Sequence, residues 1–308
     1  MKKKTKYKVG VALGSGAARG LSHIGVLRAL EDLGIYPEVV AGTSSGSLVG
    51  AAYSAGRLNE LEDWLKGLEW KDVVSFFDFT LSGGLIKGNK LFNYFKNYFG
   101  EKKIEDLNLP FAAVACELET GQEIWLRSGE VLPAVRSSIA LPGVITPVYY
   151  KGKWLIDGGV VNPVPVSVCR ALGAEYIIAV DLNAHLMAKN TFTKKKNKEQ
   201  SSESETDPEK KSWWRSPKEF YNKLKVQQDE DENPDGRPSL MEVINTSINI
   251  MEVRITRSRM AGDPPDILLT PKLTDIGMME FHRFKECFME GRRVVELAKE
   301  SLLSIIED

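Results

Sequence analysis

The chain has 308 residues, 43% of them hydrophobic, and a formal net charge of -1 at pH 7. That composition supplies a substantial core for one large or two modest domains, and its charge gives no overall field to draw nucleic acid, so no nucleic-acid partner is expected. Cys116, Cys169 and Cys287 are odd in number and widely spaced, which argues against a disulfide framework and a cysteine-based zinc site and fits a reducing cytoplasm.

The chain opens on Lys2, Lys3, Lys4, Lys6 and Lys8, a solvated basic tail able to touch an anionic surface. No secretory signal follows it, and no run of about 18 apolar residues is present to span a bilayer. The expected location is cytoplasmic, with peripheral contact at the inner membrane face left open. Oligomeric state is not legible.

Lys8 to Leu13 reads as a strand, Gly14 to Gly20 as a loop of small residues, and Leu21 to Leu33 as a helix ended by Gly34. Pro37 to Ala41 is a second strand, followed by Gly42-Thr43-Ser44-Ser45-Gly46 and a small-residue helix from Ser47 to Tyr53. Asn59 is placed to cap a helix over Glu60 to Leu68. From Trp70 to Phe99 the chain is rich in aromatics, including Phe76, Phe77, Phe79, Phe92, Phe95, Tyr98 and Phe99, which read either as ordinary packing or as a cap over an acyl-chain pocket.

Phe111 to Cys116 and Glu123 to Arg127 are expected strands around the Thr120-Gly121 turn, and Leu132 to Ile139 a helix stopped by Leu141-Pro142-Gly143. Tyr149-Tyr150 and Trp154-Leu155-Ile156 form a hairpin that delivers Asp157-Gly158-Gly159 at a strand end. Val164 to Leu172 is a helix and Tyr176 to Leu182 a buried strand. Residues 184–237 are dominated by charged and polar side chains and are expected to be a disordered insertion, with Trp213-Trp214 as a docking exception. Ser239 to Met260, Asp266 to Thr270 and Phe281 to Ile306 then read as helix, strand and helix. Residues 1–183 would form the catalytic core, and 238–308 the rest of the same domain. Alternating strands and helices predict an α/β fold whose mainly parallel sheet is covered on both faces.

A serine between glycines at a strand-to-helix turn is how many hydrolases present a nucleophile, because small neighbours leave the approach clear. Ser44, flanked by Gly42 and Gly46, fits that pattern, although a glycine-rich turn can also be a simple joint. A serine hydroxyl needs a base. His23 lies on a helix and reads as packed or capping; His185 and His282 have no motif around them. Asp157, followed by Gly158 and Gly159, is an exposed carboxylate at a strand end, or else an ordinary Asp-Gly turn. Gly14, Ser15, Gly16, Ala17 and Ala18 offer backbone N–H groups at a helix start for an oxyanion, or for a phosphate. The loop lacks the Gly-Lys-Ser/Thr of a P-loop and has Arg19 where a dinucleotide loop needs glycine. Arg19 opposes the helix dipole there and needs a partner, either an acidic side chain or a substrate phosphate.

Leu13 to Gly20 with His23 to Leu27, then Gly42 to Gly46, then Asp157-Gly158-Gly159-Val160 with Asn162 to Pro165, together resemble the patatin-like phospholipase family, in its bacterial branch related to neuropathy target esterase. The resemblance covers residues 8 to 183. It implies a three-layer α/β/α fold and hydrolysis of a lipid ester by a Ser-Asp dyad without metal or cofactor. Ser44 would be the nucleophile, Asp157 the base and the backbone of Gly14 to Ala18 the oxyanion hole, with Arg19, Gly20, Gly42, Gly46, Gly158 and Gly159 as supporting motif positions. Ser15 and Ala17 stand where the family commonly has glycine. Acyl transfer, a non-catalytic lipid-binding regulator and a phosphate- or nucleotide-binding module are the alternatives.

Overall fold

A computed structural model of the chain describes residues 3–69, 71–72, 95–96, 100, 102–188, 238 and 240–307. Its strands are β1 (Val9–Leu13), β2 (Val39–Thr43), β3 (Phe111–Glu117), β4 (Glu123–Leu126), β5 (Val148–Tyr150), β6 (Lys153–Asp157), β7 (Tyr176–Val180) and β8 (Ile267–Leu269). Its helices are α1 (Ser22–Asp32), α2 (Ser45–Ser54), α3 (Leu58–Lys66), α4 (Val131–Ser138), α5 (Val166–Ala171), α6 (Leu240–Gly262), α7 (Phe284–Leu297) and α8 (Lys299–Leu303).

Side chains of a strand alternate between its two faces, so a sheet covered on both sides is apolar at nearly every position. β1, β2, β3 and β7 follow this rule. Val11, Leu13, Val40, Phe111, Ala113, Ile178 and Val180 enter one core with residues of α1, α2, α3, α4 and α7. Their neighbours Ala12, Val39, Ala41, Ala112, Val114, Ile177 and Ala179 enter a second core with Val166, Val168 and Cys169 of α5. The result is a three-layer α/β/α architecture, as the alternation of elements predicts.

Five strands are parallel in the order β3-β2-β1-β7-β8, while β4 and β6 pair antiparallel with β3, and β5 with β6. One consequence positions the site. β4 runs along one edge of β3 from Ala113 to Cys116, so β2 and β6 must share the opposite edge. β2 covers that edge as far as Thr43, opposite Val114. β6 arrives from the other direction and stops with Asp157 opposite Ala115. Two strand ends thus meet head to head.

Some local expectations shift. α3 starts at Leu58 with no side-chain cap; Asn59 Oδ1 instead accepts a hydrogen bond from Arg28, so a long-range partner displaces the capping role. The helix expected over Phe281 to Ile306 is divided into a 3₁₀ turn, α7 and α8. Phe95 is buried and meets Trp64 edge-on at 5.2 Å; the other aromatics of the expected cap, Trp213-Trp214 and residues 189–237 of the charged segment lie outside the described residues. Among the described residues no helix is long and apolar enough to cross a membrane.

Candidate active site

Ser44 follows β2 directly and caps α2 with φ 55° and ψ -124°. A non-glycine residue at positive φ is strained, and such strain persists only where neighbours fix it. Here they do. A Cβ at Gly42 would collide with the backbone of Gly46 and Ser47, and one at Gly46 with the carbonyl of Leu13, so both glycines allow the turn to close against β1. The hydroxyl of Ser138, at the end of α4, accepts from the Ser44 N–H at 2.9 Å and donates to the Val114 carbonyl at 2.6 Å. Thr43 Oγ1 donates to the Asn162 carbonyl at 2.8 Å. Gly20 leaves room for the Ser45 side chain on the next turn.

Asp157 ends β6 and is buried. Its Oδ2 accepts from Ser44 Oγ at 2.5 Å, and its Oδ1 accepts from the Gly159 N–H at 2.7 Å. Gly158 packs against the Val114 carbonyl where a Cβ would clash. Burial raises the Asp157 carboxyl to about 6, while the bonds from Ser44 and Gly159 pull the other way. Such a carboxylate is a stronger base than a free one yet is largely ionised near neutrality. A hydroxyl donating to it can pass on its proton as it attacks an electrophile.

The glycine loop lies between β1 and α1, with residues Ala17–Leu21 in a 3₁₀ turn. The N–H groups of Gly14, Ser15 and Ala18 donate to the carbonyls of Val180, Pro163 and Met278. Among the described residues, no such bond uses the N–H of Gly16 or Ala17. Ala17 is held at φ 50°. His23 is fully buried, and its Nε2 lies 2.8 Å from the Gly14 carbonyl. A carbonyl only accepts, so Nε2 carries the proton. Burial lowers the ring to about 4; His23 is a neutral brace for the loop, well away from the role of a base for Ser44.

Ser15, Gly16, Ala17, Arg19, Ser44 and Asp157 line one cleft together with Leu141, Ile248, Asn249, Glu252 and Met278. Its volume of about 20 Å³ has room for a water molecule. Arg19 is buried, its Nε donates to the Gly16 carbonyl at 3.2 Å, and the charges nearest it include Glu252 and Asp181. Among the described residues Arg19 forms no ion pair; of the two partners expected for it, the acidic side chains act only through the nearby charges of Glu252 and Asp181. Glu252, buried on α6, escaped the sequence reading. Its signal was a carboxylate in register with Ile248 and Thr256, which are buried on the same helix. The remaining histidines stand elsewhere: His185 follows β7, and His282 lies in the turn before α7.

The family model described as patatin-like phospholipase matches residues 11–170. An uncharacterized NTE family protein of Mycobacterium tuberculosis is 31% identical over 96% of this chain and 92% of its own length. Human patatin-like phospholipase domain-containing protein 6 is 34% identical over 58% of this chain and 14% of its own length. A lysophospholipase, nte1, of Aspergillus fumigatus is 33% identical over 57% of this chain and 12% of its own length.

Proposed function

The chain belongs to the patatin-like phospholipase family, and from that premise we propose that it is a serine acyl hydrolase that cleaves fatty-acyl esters of phospholipid or lysophospholipid with Ser44 and Asp157. The observation that carries this reading is the 2.5 Å bond from Ser44 Oγ to Asp157 Oδ2, made by a strained serine and a buried carboxylate at opposed strand ends.

Ser44 Oγ attacks the ester carbonyl while its proton passes to Asp157. The carbonyl oxygen gains negative charge and is received by the N–H groups of Gly16 and Ala17, within the five-residue stretch read from the sequence; Gly14, Ser15 and Ala18 serve to fix that loop. Collapse of the tetrahedral species expels the alcohol, which takes the proton from Asp157. Asp157 then draws a proton from water as that water attacks the acyl-Ser44 ester, and collapse of the second tetrahedral species returns the proton from Asp157 to Ser44 Oγ as the fatty acid leaves. Arg19 keeps the loop in shape through Gly16. The lysophospholipase among the relatives directs the substrate proposal to single-chain lipids beside two-chain ones. Leu141, Ile248 and Met278 provide apolar surface above the dyad, where an acyl chain has to enter.

The test is hydrolysis of a lysophospholipid and a p-nitrophenyl ester by wild type, Ser44→Ala and Asp157→Asn. The reading expects both variants to lose at least 99% of turnover. A folded Ser44→Ala protein with wild-type turnover ends it.

A further inference from the structure

Glu252 is a carboxyl group brought to the dyad from a part of the chain that the sequence motifs do not cover. It is 5% exposed. Its Oε2 accepts from Asn183 Nδ2 at 2.7 Å. Asn183 Nδ2 also lies 3.3 Å from Ser15 Oγ, so one buried cluster joins the glycine loop, the end of β7 and α6. Gly159 makes this approach possible. A Cβ there would overlap Glu252 Oε1 and sit 3.1 Å from Asp157 Oδ1, so the two carboxyl groups both face the bare side of Gly159 that a side chain would fill.

We propose that Glu252 is a positioning residue for the hydrolytic centre, holding Asn183, and through it Ser15 and the Gly16-Ala17 donors, in place, and that it does so as the uncharged acid. This rests on the reading of Ser44 and Asp157 as the reacting pair. The charged groups facing Glu252 are Asp157 from β6, Asp181 from the end of β7 and Arg19 from the glycine loop. Two of the three are acids. A neutral Glu252 accepts the hydrogen bond from Asn183 without adding a field. An ionised one would place a second negative charge behind Asp157 and beside the loop that receives the oxyanion, opposing the charge that forms on reaction. Burial, reinforced by Asp157, holds the proton on Glu252 up to about 8, with Arg19 and the nearby Ser15 hydroxyl acting against it. The centre therefore has a window: Asp157 must be ionised while Glu252 is not.

The experiment measures kcat and KM between pH 5 and 9.5 for wild type, Glu252→Gln and Glu252→Ala, with melting followed at each pH and Ser44→Ala run in parallel. Wild-type kcat is expected to fall about tenfold between pH 7 and 9, the loss that follows when one group titrating near 8 must keep its proton. Glu252→Gln, neutral throughout, should lose this alkaline limb. Glu252→Ala should lower kcat at pH 7 about tenfold or more with KM moving less than about threefold, the pattern of an interaction that matters in the transition state, and Gln should recover most of that loss. An alkaline limb unchanged in Glu252→Gln overturns the proposal, as does Glu252→Ala with wild-type kcat. Wild type alone suffices if the variants fail to fold: undiminished kcat from pH 7 to 9.5 is equally fatal. Turnover surviving in Ser44→Ala would instead strike the dyad reading itself, so the two failures are told apart.

Discussion

Thr43 and Asp157 occupy successive rungs on one edge of β3, opposite Val114 and Ala115. A parallel strand and an antiparallel one end against each other there, and the residue after Thr43 is Ser44. The sheet thereby joins two short motifs more than a hundred residues apart, and the Ser138 hydroxyl sits at the same seam, bonded to both Ser44 and Val114. Placing the proposed nucleophile and base on a hydrogen-bonded framework fixes their distance better than mobile loops would.

The proposed base must be ionised to accept a proton. Because burial raises Asp157 to about 6, kcat/KM should climb tenfold per unit of pH below that value and level off above it. Initial rates on a soluble ester across pH 4.5 to 7.5 measure this; a rate independent of pH over that range contradicts the assignment.

Asp157 also carries a stability cost of definite sign. Its folded value, about 6, lies above its ordinary value of 3.8, so between those limits the folded chain keeps a proton that the unfolded chain has lost. Stability therefore falls as pH rises from about 4 to 6 and stays at the lower level above. Asp157→Asn removes this pH dependence. Urea unfolding should show the variant gaining on wild type as pH rises through that window, while its turnover is lost. A constant difference across the window contradicts this.

Ser138→Ala leaves the Ser44 N–H without its hydroxyl partner and the Val114 carbonyl without its donor. A buried bond left half-made costs about 1–3 kcal/mol, and a loosened serine turn should lower kcat about tenfold to a hundredfold. Chemical denaturation and ester kinetics check the pair of effects; stability lost with kcat intact would make Ser138 a packing residue only.

Ala17 holds φ 50° where glycine is at ease. Ala17→Gly trades backbone strain of about 1–2 kcal/mol against unfolded-chain entropy of about 0.4–1 kcal/mol, so its melting temperature should match or slightly exceed wild type. Ala17→Val, branched at Cβ, should be markedly destabilised. Equal melting of the two variants contradicts the strain at this turn.

The alternation of elements, the sheet and the Ser44, Asp157 and glycine-loop pieces of the cleft were readable because each has a local signature. Glycines flank Ser44 and Asp157, and strands with no polar face mark a sheet covered on both sides. Ser138 and Glu252 have no such flanks. One is a common helix-end serine, and the other is a carboxylate on a helix that, read alone, has no reason to turn it inward. Ser138 reaches the seam because α4 packs on β3, and Glu252 reaches the cleft because α6 packs on the turns that follow β6 and β7. The same limit applies to the loop: six small residues around Arg19 are visible as a candidate nest, but which N–H groups are already engaged depends on Val180, Pro163 and Met278, distant in sequence.

The most direct measurement of the central claim is mass spectrometry of the protein after reaction with a fluorophosphonate, which marks a serine activated for acyl transfer. The account predicts one adduct, on Ser44, absent in Ser44→Ala and formed at least a hundredfold more slowly in Asp157→Asn. An adduct on another residue, or labelling of Asp157→Asn at the wild-type rate, would contradict it.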